Sequence, residues 1–471
     1  MIMAPNPWMI APFIALLLAI AVMPFINRHW WERNYPYVSI GLALIVALYY
    51  VFGLKEPSRL LHTGIEYLSF ISLIGSLFVV AGGILIRIKG KSTPLANVVL
   101  LGIGAVISNI VGTTGASMIL IRPYLRVNKY RVKPYHVVFF IFIVSNLGGA
   151  LTPIGDPPLL LGYLRGVPFF WVAEHLWYKW LIVLAGILFV FYIIDRMSFS
   201  NISEMLQEKI EEEGEQGEVA GGVNALFLCI VVGAVFVTDP PFLREAIMIT
   251  ATVASYLTTK KDIHAKNEFN FLPIKEVAIL FAGIFVTMIP ALDWLQLNSR
   301  AIGITTVGEF YWMTGVLSAL LDNAPTYLNF LSAAVGLFVN TEIVLEVQHL
   351  IESRGSDIAQ IMGGHAGEVK ATFLTLQRYH NDLILTGKVS LDQINIAYLI
   401  GNHNEYLQAI SISAVFFGAM TYIGNGPNFM VKSIAEQAGV KCPSFFEYIV
   451  KYSLPFLLPL FAIVWLLFFL A

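Results

Sequence analysis

Two carboxylates stand where a carboxylate is costly. Asp156 lies in the run TPIGDPPLLL, which begins at Thr152, and Asp322 lies in LDNAPT; both are enclosed by long apolar segments. Oxygen-bearing side chains fall in the same interruptions or in others like them: Ser108, Asn109, Thr113, Thr152, Asn323, Thr326 and Asn425. Hard oxygen ligands suit Na+ or Li+, and nothing in the set offers the soft donors that a transition metal prefers. An acidic group at membrane depth must be paired, protonated or coordinating, and burial strengthens its hold on a proton until proton and metal ion compete. The chemistry these residues could do is cation/proton exchange, with the cation at Asp156, Asp322, Asn109 and Asn323. The plainer alternative is capping: Asp156 precedes Pro157 as an N-cap would, and Asp322 could cap the helix that follows it. Thr421, Asn425 and Asn428 could likewise serve only to satisfy unwound backbone.

These residues need elements that stop being helical inside the membrane. Pro157, Pro158 and Pro427 remove backbone donors, and Gly155, Gly424 and Gly426 permit the bend. A helix broken this way exposes carbonyls at the end of one half and N–H groups at the start of the other, which is how transporters build ion sites. The two interruptions also match each other. GALTPIGDPPLLL (149–161) and GAMTYIGNGPNFM (418–430) share six of thirteen positions without a gap.

The rest of the chain sets the solvent. Of 471 residues, 57% are hydrophobic and 13% charged, and the mean hydropathy of +0.73 is far from that of a soluble domain, in which about 25% of residues are charged. Apolar runs long enough to span recur from residue 8 to residue 470, so the chain reads as one multi-pass membrane unit. The net charge of -2 gives no reason to expect a nucleic-acid partner. Cys229 and Cys442 have no ligand or disulfide spacing. The nine histidines fall in loops or near span ends, with no carboxylate cage and no metal site expected. Nucleophile elbow, P-loop and dinucleotide motifs do not appear, so the expectation is a protein that is not an enzyme and carries no cofactor.

Ordinary spans are expected at 8–27, 37–54, 65–86, 178–195, 222–238, 245–258, 276–296 and 447–470. The first has neither a basic leader nor a cleavage site and reads as retained. Four other segments carry polar residues, Gly or Pro at their centres: 94–121, 134–164, 308–337 and 406–431. The first of these is flanked by basic residues on both sides (Arg87, Lys89, Lys91; Arg122, Arg126, Lys129, Arg131, Lys133), so it reads as a re-entrant hairpin from the cytoplasm, turning at Ser108–Thr114. The flanks of 308–337 are poor in Lys and Arg, which reads as a second hairpin from the other face. Each hairpin is followed by one broken span, at 134–164 and 406–431. The expected fold is therefore an all-α polytopic membrane protein with about ten spans, two re-entrant hairpins and inverted repeats carrying two broken helices. Its domains are scaffold spans at 1–64, a first repeat at 65–195, an acidic cytoplasmic linker at 196–221 and a second repeat at 222–471. A polar insert at 338–405, with eight acidic and four Lys or Arg residues, is too charged to span. Glu66, Glu276 and Asp293 read as residues at the membrane surface.

The stretches SNIVGTT, SNLGGALTPIGDPPLLLG, LDNAPTYLNFLS and GAMTYIGNGPNFMVKSIAEQAGV together resemble the ion transporter superfamily, in the branch of NhaD-type Na+/H+ antiporters and citrate-transporter-like proteins. The resemblance covers roughly 65–165 and 275–470, without the insert. It implies a homodimer in the cell membrane, of the bacterial inner-membrane type, in which a mobile domain of hairpins and broken helices moves against a scaffold. Divalent-anion symporters of the superfamily carry Ser-Asn-Thr in both hairpins. Here Ser108, Asn109 and, after an insertion, Thr113 match the first, while Asp322, Asn323 and Thr326 replace the second. Added carboxylates repel an anionic substrate. The resemblance therefore points to Na+ or Li+ exchanged for H+, with cation-coupled symport of citrate or another di- or tricarboxylate as the alternative.

Overall fold

The computed structural model describes residues 4–87, 92–201, 218–237, 240–267, 269–353, 358 and 364–470. Among the described residues seven helices are long and apolar enough to cross a bilayer: Pro7–Pro24, His29–Gly53, Pro57–Gly82, Pro94–Val127, Trp171–Ser200, Leu272–Asn298 and Phe445–Phe468. Their outward faces carry bare apolar side chains such as Leu44, Phe189 and Leu466, as a lipid solvent allows.

Two expected spans are shorter than a crossing. Val223–Ala234 has 12 residues and Leu243–Thr258 has 16, about 18 and 24 Å of helix against a hydrocarbon core of about 30 Å. Both pack against Pro57–Gly82. The chain also forms a small antiparallel ladder, Leu85–Arg87 with Glu218–Ala220, that the sequence reading did not anticipate. Of the expected acidic linker, 202–217 lies outside the described residues, as do Lys89, Lys91 and Arg354.

Pro94–Val127 contains 34 residues and would reach about 50 Å if straight. Its ends nevertheless touch: the side-chain amides of Asn97 and Asn128 each donate to the other's oxygen at 2.9 Å. The reversal occurs at Gly112, with φ 77° and ψ 155°, a conformation that side chains rarely adopt. The expected hairpin is present, and its turn is inside Ser108–Thr114. Its open end is clamped by Asp195, buried on Trp171–Ser200, which accepts from Asn97 Nδ2 (3.0 Å), Arg131 Nη2 (2.7 Å) and the Tyr135 hydroxyl (2.7 Å).

The second hairpin runs Val307–Leu320 and Asn323–Phe338. Leu321 and Asp322 are extended between the arms, and the Phe310 and Phe330 rings meet across them with centroids 6.1 Å apart. After Phe338 the chain bends by 91° into Thr341–Glu352. The insert comprises that helix with Ala366–Thr386 and Leu391–Asn402, and it closes its own apolar core around Ile343, Val347, Phe373, Leu376 and Ile394.

Both broken spans are present. Pro134–Ile143 gives way to a short 3-10 turn at Leu147–Gly149, then irregular chain, then Pro157–Leu164. Asn404–Phe417 repeats the arrangement with Gly418–Met420 and Gly426–Gln437. Ser145 to Ala150 and Pro153 to Asp156 are buried and Leu151 and Thr152 half-buried, so this irregular backbone is largely covered by protein.

Candidate functional site

The interruptions are held open by the hairpin tips. Thr113 donates its backbone N–H to Gly155 O at 2.8 Å, and Asn323 donates its own to Gly424 O at 3.2 Å. Thr152 Oγ1 donates to Asn109 O (2.6 Å) and accepts from Gly155 N (3.0 Å); Thr421 Oγ1 donates to Ala319 O (2.6 Å) and accepts from Gly424 N (3.0 Å). Ser108 Oγ reaches Val144 O, and Ser318 Oγ reaches Ala414 O. Each repeat thus uses the same joints, one hairpin tip against one broken span. Gly155 packs against Gly149 so closely that a Cβ would strike the Gly149 carbonyl, and Gly424 meets Gly418 in the same way.

At the centre of this pseudo-symmetry the two repeats carry different groups. Asp156 in the first corresponds to Asn425 in the second, and the two bond directly: Asn425 Nδ2 donates to Asp156 Oδ1 at 2.8 Å. Thr113 Oγ1 donates to the same oxygen at 2.8 Å, and Asn323 Nδ2 donates to Oδ2 at 2.7 Å. Asp156 is 1% exposed. It occupies the N-cap position of Pro157–Leu164, yet its side chain makes no capping bond, because all three donors lie elsewhere. Among the described residues no Lys or Arg bonds to it.

Asp322 behaves differently. Its Oδ1 accepts from Ala324 N at 3.0 Å, a capping bond at the head of Asn323–Phe338, and its carbonyl accepts from Thr326 Oγ1 at 2.9 Å. The residue is half-buried. The structure brings Thr113, Asn323 and Asn425 onto Asp156. It leaves Asp322 and Thr326 one residue or more along the second hairpin, and it places Ser108, Asn109 and Thr152 as braces beneath. Asn109 Oδ1 accepts from Leu151 N at 2.9 Å and does not reach the Asp156 carboxylate.

Three further groups belong to the network. Asn146, fully buried, donates to Asn428 Oδ1 at 2.7 Å and accepts from Asn425 Nδ2 at 3.2 Å. Asn428 donates to the carbonyls of Gly418 and Thr421, which is the backbone-satisfying role. Ser145 bonds Ser117 at 2.8 Å. The signal for Asn146 was a Ser-Asn pair ending an apolar run, in the motif SNLGG.

The site contains spare acceptors and a little room. Asn323 Oδ1 is buried without a hydrogen-bond partner, and such an atom is costly unless something donates to it or coordinates it. A cavity of about 20 Å³ lies beside Asp156, lined by Thr113, Gly155 and Asp156 on one side and by Leu73, Leu77 and Phe78 of Pro57–Gly82 on the other. That is space for one water-sized occupant. A larger apolar cleft of about 450 Å³ lies between the first span, Ile289–Ile302 and the second hairpin; of the candidate residues only Thr326 lines it.

Two of the three acidic residues expected at the membrane surface are buried against partners, and the third, Glu276, is half-buried. Asp293 is 3% exposed and accepts from Tyr50 OH (2.8 Å) and Arg59 Nη2 (2.7 Å). Glu66 is buried against Arg165. Histidines do stand beside carboxylates: His62 lies 3.6 Å from Glu66, and the buried His136 lies 3.2 Å from Asp195.

A family model described as "Putative citrate transport" matches residues 3–469. No curated protein matches the chain.

Proposed function

We propose, for a chain that belongs to the citrate-transport family and so is a multi-pass membrane transporter, that it exchanges Na+ or Li+ for H+ by alternating access. The observation that carries the reading is the Asp156 carboxylate, buried and bonded at once to the first hairpin, the second hairpin and the second broken span. A single buried carboxylate accommodates one positive charge at a time, so a proton and a cation exclude each other there. Thr113 Oγ1, the unpartnered Asn323 Oδ1 and Asn425 Oδ1, after rotation of its amide, would complete an oxygen shell of the kind a hard cation prefers. Asp322, carried on the residue before Asn323, supplies a second negative charge close to the same joint.

Alternating access in this reading is movement of the two hairpins and two broken spans against the remaining helices, in a homodimer of the cell membrane. Everted membrane vesicles test it: a pulse of Na+ or Li+ is expected to release the interior acid load in wild type and not in Asp156→Asn. Retained exchange in that variant would remove Asp156 from the reaction.

The family description favours a second reading, cation-coupled uptake of citrate or a related carboxylate. In that case Asp156 would bind the coupling ion. Labelled citrate accumulation that requires a Na+ or proton gradient, with no cation-induced proton release in its absence, would establish it over exchange.

A further inference from the structure

The helix that begins at Asp156 ends at Arg165. Pro157–Leu164 has eight residues, so the site and the guanidinium sit at the two ends of one rigid rod about 13 Å long. Arg165 Nε lies 2.8 Å from Glu66 Oε1, Arg165 Nη2 donates to Glu66 Oε2 at 3.0 Å, and Arg165 Nη1 lies 3.7 Å from Asp392 Oδ2. Glu66 belongs to Pro57–Gly82, and Asp392 belongs to the insert helix Leu391–Asn402.

Pro57–Gly82 is also tied to other spanning helices. Arg59 pairs with Asp293, which also holds Tyr50, and Phe70 stacks on Phe281 with ring centroids 4.8 Å apart. The same helix, about two to three turns beyond Glu66, lines the cavity beside Asp156 with Leu73, Leu77 and Phe78. We infer that the Glu66–Arg165–Asp392 cluster is the ionic latch that keeps Pro57–Gly82 shut over Asp156, and that it must break each time the site opens.

Three features favour a latch over ordinary surface pairing. The Arg165 and Glu66 side chains are 15% and 10% exposed, so the pair is shielded from the screening that makes exposed ion pairs nearly worthless. Its members come from three separate parts of the chain, a broken span, a spanning helix and the insert, and only a contact between parts can gate their relative motion. Arg165 sets its guanidinium between two carboxylates, Glu66 and Asp392, whose oxygens lie with the His62 ring within 4.8 Å of one another.

The inference rests on Asp156 being the transported ion's site, and its test is separable from that reading. A cysteine placed at Leu73, in a background with Cys229→Ser and Cys442→Ser, reports opening through its rate of reaction with a water-soluble maleimide. Arg165→Gln and Glu66→Gln are each expected to raise that rate at least tenfold, because each leaves one charge of a shielded pair without its partner. Arg165→Lys, which keeps the charge, is expected to stay slow. Unchanged labelling in both glutamine variants would overturn the latch. So would labelling in Arg165→Lys as fast as in Arg165→Gln, since charge would then not be what holds the door. If Arg165→Gln does not fold, Glu66→Gln carries the measurement. Vesicle exchange in Asp156→Asn reads the site independently, so a latch can fail while the site stands, or the reverse.

Discussion

Asn323 donates its side-chain amide to Asp156 at 2.7 Å across 167 positions of sequence, joining the turn of the second hairpin to the break in the first broken span. The residue beside it, Asp322, spends its own carboxylate on Ala324 N. Two adjacent side chains at one turn therefore face different tasks, one completing the site and one holding the helix that carries it.

Removing the Asn323 amide leaves the Asp156 carboxylate with two donors in place of three. A hydrogen bond to a charged group contributes about 1.5 to 3 kcal/mol, so Asn323→Ala is expected to change the apparent affinity for Na+ or Li+ by about ten- to a hundredfold. Initial rates of cation-induced proton release across a concentration series in vesicles measure it, and an unchanged affinity would take Asn323 out of the shell.

Asp322→Asn keeps a capping side chain while deleting the charge, because asparagine caps a helix as well as aspartate. The expected result is an intact, normally eluting protein with at least tenfold slower exchange, about 1.4 kcal/mol in the barrier. Full exchange in this variant would confine Asp322 to capping. Asp322→Ala, by contrast, is expected to lose about 1 kcal/mol of stability through the cap alone.

Gly112 turns the first hairpin with φ 77°, and a Cβ there would lie 3.2 Å from Ile154 O. Gly112→Ala is expected to cost about 1 to 3 kcal/mol from the strained backbone and to displace Thr113 from Asp156. Thermal unfolding in detergent should show the first effect, and weakened cation affinity the second. A variant with wild-type melting and affinity would show that the turn tolerates a side chain.

The clamp at the base of that hairpin is a buried ion pair. Arg131→Met leaves Asp195 without its charged partner, and breaking one side of such a pair costs about 3 to 5 kcal/mol. The melting temperature is expected to fall while the affinity of any folded protein for Na+ or Li+ is unchanged, since Asp195 does not touch the Asp156 shell. Loss of affinity with no loss of stability would contradict a purely structural clamp.

The breaks were legible because helix breaking is local. Pro157 and Pro427 remove donors wherever they stand, Gly112 and Gly155 allow what other residues resist, and the repeat 149–161 against 418–430 marked both joints. The basic flanks of 94–121 likewise announced a hairpin before Asn97 was seen beside Asn128. The ranking of the two aspartates was not legible. Each lay in an apolar break near amides, and only packing put Asp156 among three donors and gave Asp322 the Ala324 N–H as its partner. Glu66 and Asp293 looked like surface residues because their partners, Arg165 and Arg59, reach them from segments whose approach no local pattern encodes; Arg165 is 99 positions away from Glu66 and Arg59 is 234 from Asp293.

The sequence by itself determined the solvent, the helical class and the places where helices stop, because hydropathy, missing N–H groups and backbone permissiveness are properties of a few neighbouring residues. Tertiary structure decided which oxygens meet, since three donors from three distant breaks converge on Asp156 only when both repeats have packed. A binding shell is a fact about distances between segments, and those distances are set by the burial of whole helix faces rather than by any one motif.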